Sequence, residues 1–230
     1  MNNTEYGYDD TGNLTMDYRT YVGPYKNYDK ISALVFNLLT TLGLREYHTV
    51  LDVGCGSLRC ARLLIPYLNT GNYFGIEPNK WLVEAGIANE ISQGLVDLKK
   101  PTFSFDDSIQ KTDFGDNFKA DFAVAQSIFS HTGLDLLKGW LSDISTHLTE
   151  EGVMAATFHS GKVSKWPYGV NNSGWKYPGC FNYSFQEMSQ IAAEYELKFN
   201  AIDWMHPHQQ SWAIFSKKRY NSDKFRGIYL

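Results

Sequence analysis

At 230 residues the chain is long enough for one complete α/β domain with a sizeable core, and short for two. Its net charge of -4, with basic residues scattered instead of gathered into a stripe, speaks against a nucleic-acid partner. No apolar run approaches the roughly 20 residues of a membrane helix, and the start MNNTEYGYDD has neither a basic region nor an apolar signal core. Cys55, Cys60 and Cys180 are odd in number and form no CxxC pair, which suggests neither a disulfide framework nor a zinc knuckle. The expectation is a cytoplasmic protein with reduced thiols, no membrane partner and one domain over 21–230 after a polar segment, 1–20. Aromatic residues make up 15% of the chain and gather in two stretches, 18–28 and 166–183, both candidates for a binding surface.

A leading helix is expected over 25–42, where Ile31, Leu34, Val35, Leu38, Leu39 and Leu42 recur at helical spacing before Gly43, a fitting C-cap. Short apolar runs follow at 49–53, 73–76, 102–105, 122–125 and 153–158, separated by amphipathic stretches at 58–68, 79–91 and 134–148. Strand and helix alternating in this way mean a parallel sheet with helices on both faces. A helix at 184–196 then leads to strands at 197–204 and 211–216. The connection 205–210 is too short for a crossover helix, so the last strand should run antiparallel to its neighbour.

The most informative stretch is Val50-Leu51-Asp52-Val53-Gly54-Cys55-Gly56-Ser57, an apolar strand, an acid and two glycines at a strand-to-helix turn. Glycine serves there because the turn needs positive φ and a ligand must approach the backbone closely. A dinucleotide fingerprint would need a third glycine at position 59, where Arg59 stands, so a nicotinamide-dependent oxidoreductase is disfavoured. An acid two residues before the first glycine suits a cationic ligand instead. The second strand ends at Glu77, placed to take two ribose hydroxyls; the third ends at Asp106-Asp107-Ser108, placed to meet an adenine amine and ring nitrogen. Between Asp106 and Asp107 the sequence favours Asp107, which adjoins Ser108. The fourth strand ends in Gln126-Ser127-Ile128-Phe129-Ser130-His131.

On these residues the chain resembles the class I S-adenosylmethionine-dependent methyltransferases, from about Tyr21 to the end. The resemblance implies a Rossmann-like α/β fold, a mainly parallel seven-stranded sheet with an antiparallel last strand. It also implies S-adenosyl-L-methionine as cofactor. By position the methionine end falls to Asp52, Gly54, Cys55, Gly56 and Gln126, the ribose to Glu77, and the adenine to Asp106 or Asp107 with Ser108. More narrowly, LDVGCGSLR, YFGIEPN, AQSIFSH and WKYPGC are similar to bacterial methyltransferases that modify glycans or small metabolites.

The remaining candidates concern the acceptor. Arg59 opens the first helix after the turn, where a cation opposes the dipole, so it is expected to meet an anion or to form a surface ion pair. His131, near neutral pKa, is the expected catalytic base for a hydroxyl acceptor. His159 and His208 are expected to reach the acceptor from neighbouring strand ends. The connection 159–183 is longer than packing requires, and Trp166, Trp175 and Tyr177 make it an expected acceptor-binding lid. Gln126-Ser127 offers no carboxylate at the fourth strand's end, so no metal is expected. The expected activity is methyl transfer to an oxygen of a small polar acceptor, a sugar among the candidates. N-methylation, phosphoryl-oxygen methylation and a non-catalytic cofactor-binding subunit are the alternatives.

Overall fold

A computed structural model of the chain describes residues 17–112, 114–115, 117–161, 173–218 and 220. It divides into two compact units, one ending at Asp107 and the other beginning at Ser108.

The first unit opens with a short helix, α1 (Tyr18–Tyr21), and a 3-10 turn, Tyr25–Asn27. Helix α2 (Tyr28–Leu42) follows, burying the predicted stripe of Ile31, Leu34, Val35, Leu38, Leu39 and Leu42 and ending on Gly43. Each fully buried Leu or Val of that stripe contributes about 1.5–3 kcal/mol through the apolar surface it removes from water. Three strands, β1 (Val50–Val53), β2 (Tyr73–Ile76) and β3 (Thr102–Ser104), pair in parallel in the order β3-β2-β1. Helix α3 (Ala61–Tyr67) connects β1 to β2; α4 (Lys80–Gly86), a π-helical turn (Ile87–Ile91) and α5 (Gln93–Lys99) connect β2 to β3. All four residues of β1 are buried, as in a parallel-sheet strand covered on both faces.

In the second unit β4 (Ala120–Ala125) leads through α6 (Leu134–His147) into β5 (Leu148–Ser160), parallel to β4. The two-residue β6 (Asn182–Tyr183) pairs with the end of β5, and α7 (Phe185–Glu194) starts from a Ser184/Glu187 capping box. Strands β7 (Lys198–Ile202) and β8 (Ser211–Ser216) complete the order β4-β5-β8-β7. As the short connection required, β8 runs antiparallel, both to β7 and to β5. With β6 set aside, these strands are the seven of the expected Rossmann-like fold, and the reversed β8 is its predicted last strand. Among the described residues no helix is long and apolar enough to cross a membrane.

Candidate active site

Strand β1 delivers Asp52, Gly54, Cys55 and Gly56 to its C-terminal end. Gly54 and Cys55 donate their N–H groups to the Ile76 carbonyl at 2.8 and 3.0 Å, which fixes the turn against the end of β2. Gly56 has φ +54, a conformation that favours glycine, and a Cβ there would lie 3.0 Å from Val22 Cγ1. Asp52 is buried and accepts the Tyr73 hydroxyl at 2.8 Å. Burial pushes its carboxyl up to about 7, opposed by the Tyr73 hydrogen bond and by the positive charge of Arg59. Arg59 itself is only 7% exposed, and its Nη1 donates to the Val22 carbonyl at 2.8 Å.

Glu77, just past β2, is held in place before any ligand arrives. Its Oε2 accepts the Gly56 N–H at 3.1 Å, and its Oε1 accepts the Asn79 backbone and carboxamide N–H groups, each at 2.8 Å. Burial raises its pKa, and these hydrogen bonds to the ionised form work against the rise. Glu77 thus ties the second strand end to the glycine turn, a link that sequence position alone did not reveal. After β3, Asp106 is half-buried and accepts the Ser104 hydroxyl at 3.1 Å, while Asp107 is exposed and Ser108 half-buried.

In the second unit the turn after β4 brings His131 under the segment 173–183. Gly133 donates to the Gly174 carbonyl at 2.7 Å, Lys176 to the His131 carbonyl at 2.9 Å and Phe181 to the Ser130 carbonyl at 2.8 Å. A Cβ on Gly133 would lie 2.5 Å from the Ser173 backbone, so this close approach needs glycine. The His131 ring is buried, with Nδ1 2.7 Å from the Gly179 carbonyl and 3.2 Å from that of Lys176. A carbonyl only accepts, so Nδ1 carries the proton and Nε2 keeps its lone pair. Burial lowers the pKa of His131 below the usual imidazole value, against the pull of those two carbonyls. Tyr177 meets the ring edge-on at 4.9 Å, and Trp175 lies tilted against it at 5.5 Å. Trp175 is 53% exposed. Trp166 lies outside the described residues.

At the same end of the second unit's sheet, Gln126 is buried in a polar cluster. Its carboxamide reaches Nε2 of His206 at 3.0 Å and the Ser127 hydroxyl at 2.6 Å. The His208 backbone N–H donates to His206 Nδ1 at 3.2 Å. Gln210 Nε2 donates to the Ser127 hydroxyl at 3.0 Å, and the Ser127 N–H to the Thr157 hydroxyl at 2.7 Å. Of the two histidines of the last hairpin, His206 engages Gln126, and His208 is half-buried with its ring 5.6 Å from that of His206. His159, half-buried at the end of β5, has its pKa lowered by burial. Among the described residues no group of three or more His, Cys, Asp or Glu side chains is arranged to hold a metal ion. Tyr73, Val22 and Gln210 are the contributors that sequence reasoning missed.

Residues 51–154 match a family model described as a methyltransferase domain. No curated protein matches the chain by sequence. Among solved structures, an S-adenosylmethionine-dependent methyltransferase from Clostridium acetobutylicum superposes with a TM-score of 0.59 at 16% identity, covering 86% of this chain and 95% of that one. Magnesium protoporphyrin IX methyltransferase from Synechocystis, solved with bound cofactor, gives 0.61 at 12% identity, covering 90% and 86%. A Haloferax volcanii methyltransferase solved with the Trm112 activator gives 0.60 at 14% identity, covering 84% and 93%. At such identities the likeness is one of fold. The matched domain contains the glycine turn, and the fold is the one that the resemblance to the class I S-adenosylmethionine-dependent methyltransferases implies.

Proposed function

We propose that the chain transfers a methyl group from S-adenosylmethionine to a hydroxyl oxygen of a small polar acceptor, a sugar or a glycan-linked group. The cradle fits the donor: Gly56 takes the positive φ that turns the chain at the end of β1, and Glu77 stands ready with its carboxylate oriented. When bound, the donor supplies a methyl group already activated on a sulfonium. In this reading Asp52 faces the donor's positive charge, Gly54, Cys55, Gly56, Arg59 and Gln126 its methionine end, Glu77 the ribose, and Asp106 or Asp107 with Ser108 the adenine.

The observation that carries the oxygen chemistry is His131. With its proton fixed on Nδ1 by the Gly179 carbonyl and its pKa lowered by burial, it presents a neutral Nε2 at pH 7. A neutral imidazole takes the hydroxyl proton as the new C–O bond forms. The exposed Trp175, with Tyr177, offers an aromatic face to the C–H side of a sugar ring, and His159 and His208 are assigned to the same acceptor. The test is release of S-adenosylhomocysteine by the isolated chain over a panel of monosaccharides and glycosides. Turnover with hydroxyl acceptors that is lost in His131→Ala is the expected result. Turnover with amines alone, or cofactor binding without any turnover, would overturn the reading.

A further inference from the structure

We infer that Gln210 and Trp212 form a hydroxyl-binding subsite, so that the acceptor is a polyol whose second hydroxyl, beside the one methylated, is held between these two side chains. The inference rests on the acceptor reading above and narrows it.

Gln210 and Trp212 are 9% and 1% exposed. The Gln210 carboxamide is fixed at one end, where Nε2 donates to the Ser127 hydroxyl at the tip of β4. Its other end, Oε1, is sealed from solvent and accepts no hydrogen bond among the described residues, and the Trp212 indole Nε1 donates none. Buried polar atoms are nearly always paired, and leaving one unpaired costs stability. Gln210 immediately precedes β8 and Trp212 is the second residue of that strand. His206 connects the two: its ring meets the Trp212 indole edge-on at 6.1 Å, and it contacts Gln126, whose carboxamide and that of Gln210 both reach the Ser127 hydroxyl.

The two unsatisfied atoms are complementary. Gln210 Oε1 can only accept and Trp212 Nε1 can only donate. A hydroxyl satisfies both with one oxygen, donating its proton to Oε1 while its lone pair takes the indole N–H. A carboxylate would be repelled by Oε1, and an ammonium by the indole N–H. A hydroxyl or a water molecule has the chemistry that fits, and the experiment separates an acceptor hydroxyl from a water.

The test uses the chain saturated with S-adenosylhomocysteine, with cis-1,2-cyclohexanediol and cyclohexanol as probes in ligand-observed NMR titrations. The diol should bind the wild type about tenfold more tightly than the monoalcohol. Gln210→Met and Trp212→Phe should each abolish that preference without changing monoalcohol binding. The double variant should lose no more than the worse single one, because one hydroxyl bridges both groups. Gln210→Glu, which keeps an acceptor in place, should retain the preference even if Trp212→Phe does not fold. Equal binding of diol and alcohol to the wild type overturns the inference. So does a preference that survives Gln210→Met, the outcome if a water and not the acceptor sits between the two side chains, and so does a loss that affects both probes alike. Calorimetric binding of S-adenosylhomocysteine is the control: its absence in the wild type would strike the proposed function, whereas with binding present the diol alone decides the subsite.

Discussion

Replacing Asp52 by asparagine removes a charge while keeping the shape and an acceptor for the Tyr73 hydroxyl. With its carboxyl pushed up to about 7 by burial, Asp52 is protonated in about half of the ligand-free molecules at pH 7. If the donor's cation requires the ionised form, binding expels that proton: about 0.9 per site at pH 6, about half at pH 7 and about 0.1 at pH 8. Apparent affinity then falls roughly tenfold from pH 8 to pH 6, because protonated molecules must lose their proton before they bind. Asp52→Asn should abolish this linkage and weaken binding at pH 8 roughly ten- to hundredfold, the worth of a charge-assisted contact of about 1.5–3 kcal/mol.

Calorimetry at pH 6, 7 and 8, each in two buffers of different ionisation enthalpy, measures the protons released. Burial also raises the pKa of Glu77, so Glu77→Gln is the control and should keep the release that belongs to Asp52. A wild type that releases no proton and binds equally at pH 6 and 8 would refute the assignment of Asp52 to the cation. Stability supplies a second reading with its own sign. The folded pKa lies above the ordinary carboxylate value of 3.8, so the contribution of Asp52 to stability is complete below that value and is lost as pH rises through about 7. Asparagine, neutral throughout, should therefore raise the unfolding midpoint at pH 8 while it lowers cofactor affinity.

Glu77→Ala should weaken cofactor binding roughly ten- to hundredfold in a chain that circular dichroism shows to be folded. Trp175→Ala should raise the acceptor's KM with cofactor affinity unchanged; a change in thermal stability alone would make it a packing residue. His131→Ala should lower kcat about a hundred- to ten-thousandfold and remove the acid-side fall in rate, with His159→Ala and His208→Ala as controls. That fall should lie below the ordinary imidazole value of 6.5, since burial lowers the pKa of His131 and the base is lost as pH drops through the folded value. Excess chelator should leave the rate unchanged, because Gln126 and Ser127 put no carboxylate at the end of β4.

Those parts of the fold were legible where burial imposes a period. The stripe of α2 and the runs of β1, β2 and β8 stand in the sequence because one face, or both, must exclude water. Helix α5 was not anticipated, and it has no buried residue to leave such a mark. The π-helical turn at Ile87–Ile91 continues a helical pattern and so cannot be told from it, and β6, two residues long, has no period at all. Strand β5 begins at Leu148, earlier than its apolar core suggests, and pairs with β4 across a shift in register between Ala120 and Phe122.

In the candidate site the same logic separates what the sequence announces from what it conceals. Glycines 54 and 56 announce themselves because the turn they build admits little else. The partners of His131 are carbonyls 45 and 48 positions away, and a carbonyl belongs to every residue, so nothing in the sequence marks them. His206 joins Gln126 across 80 positions, through a contact that exists only once β8 has folded back beside β5. Arg59 is the instructive middle case. Its position just before α3 was legible as a misplaced cation, but not the reason: it is buried, donates to the Val22 carbonyl, and its charge lowers the pKa of the buried Asp52. That charge helps to keep Asp52 ionisable in surroundings that favour its protonated form. Arg59 therefore bears on the proton linkage of Asp52 through the space between them, whether or not it also meets the cofactor carboxylate.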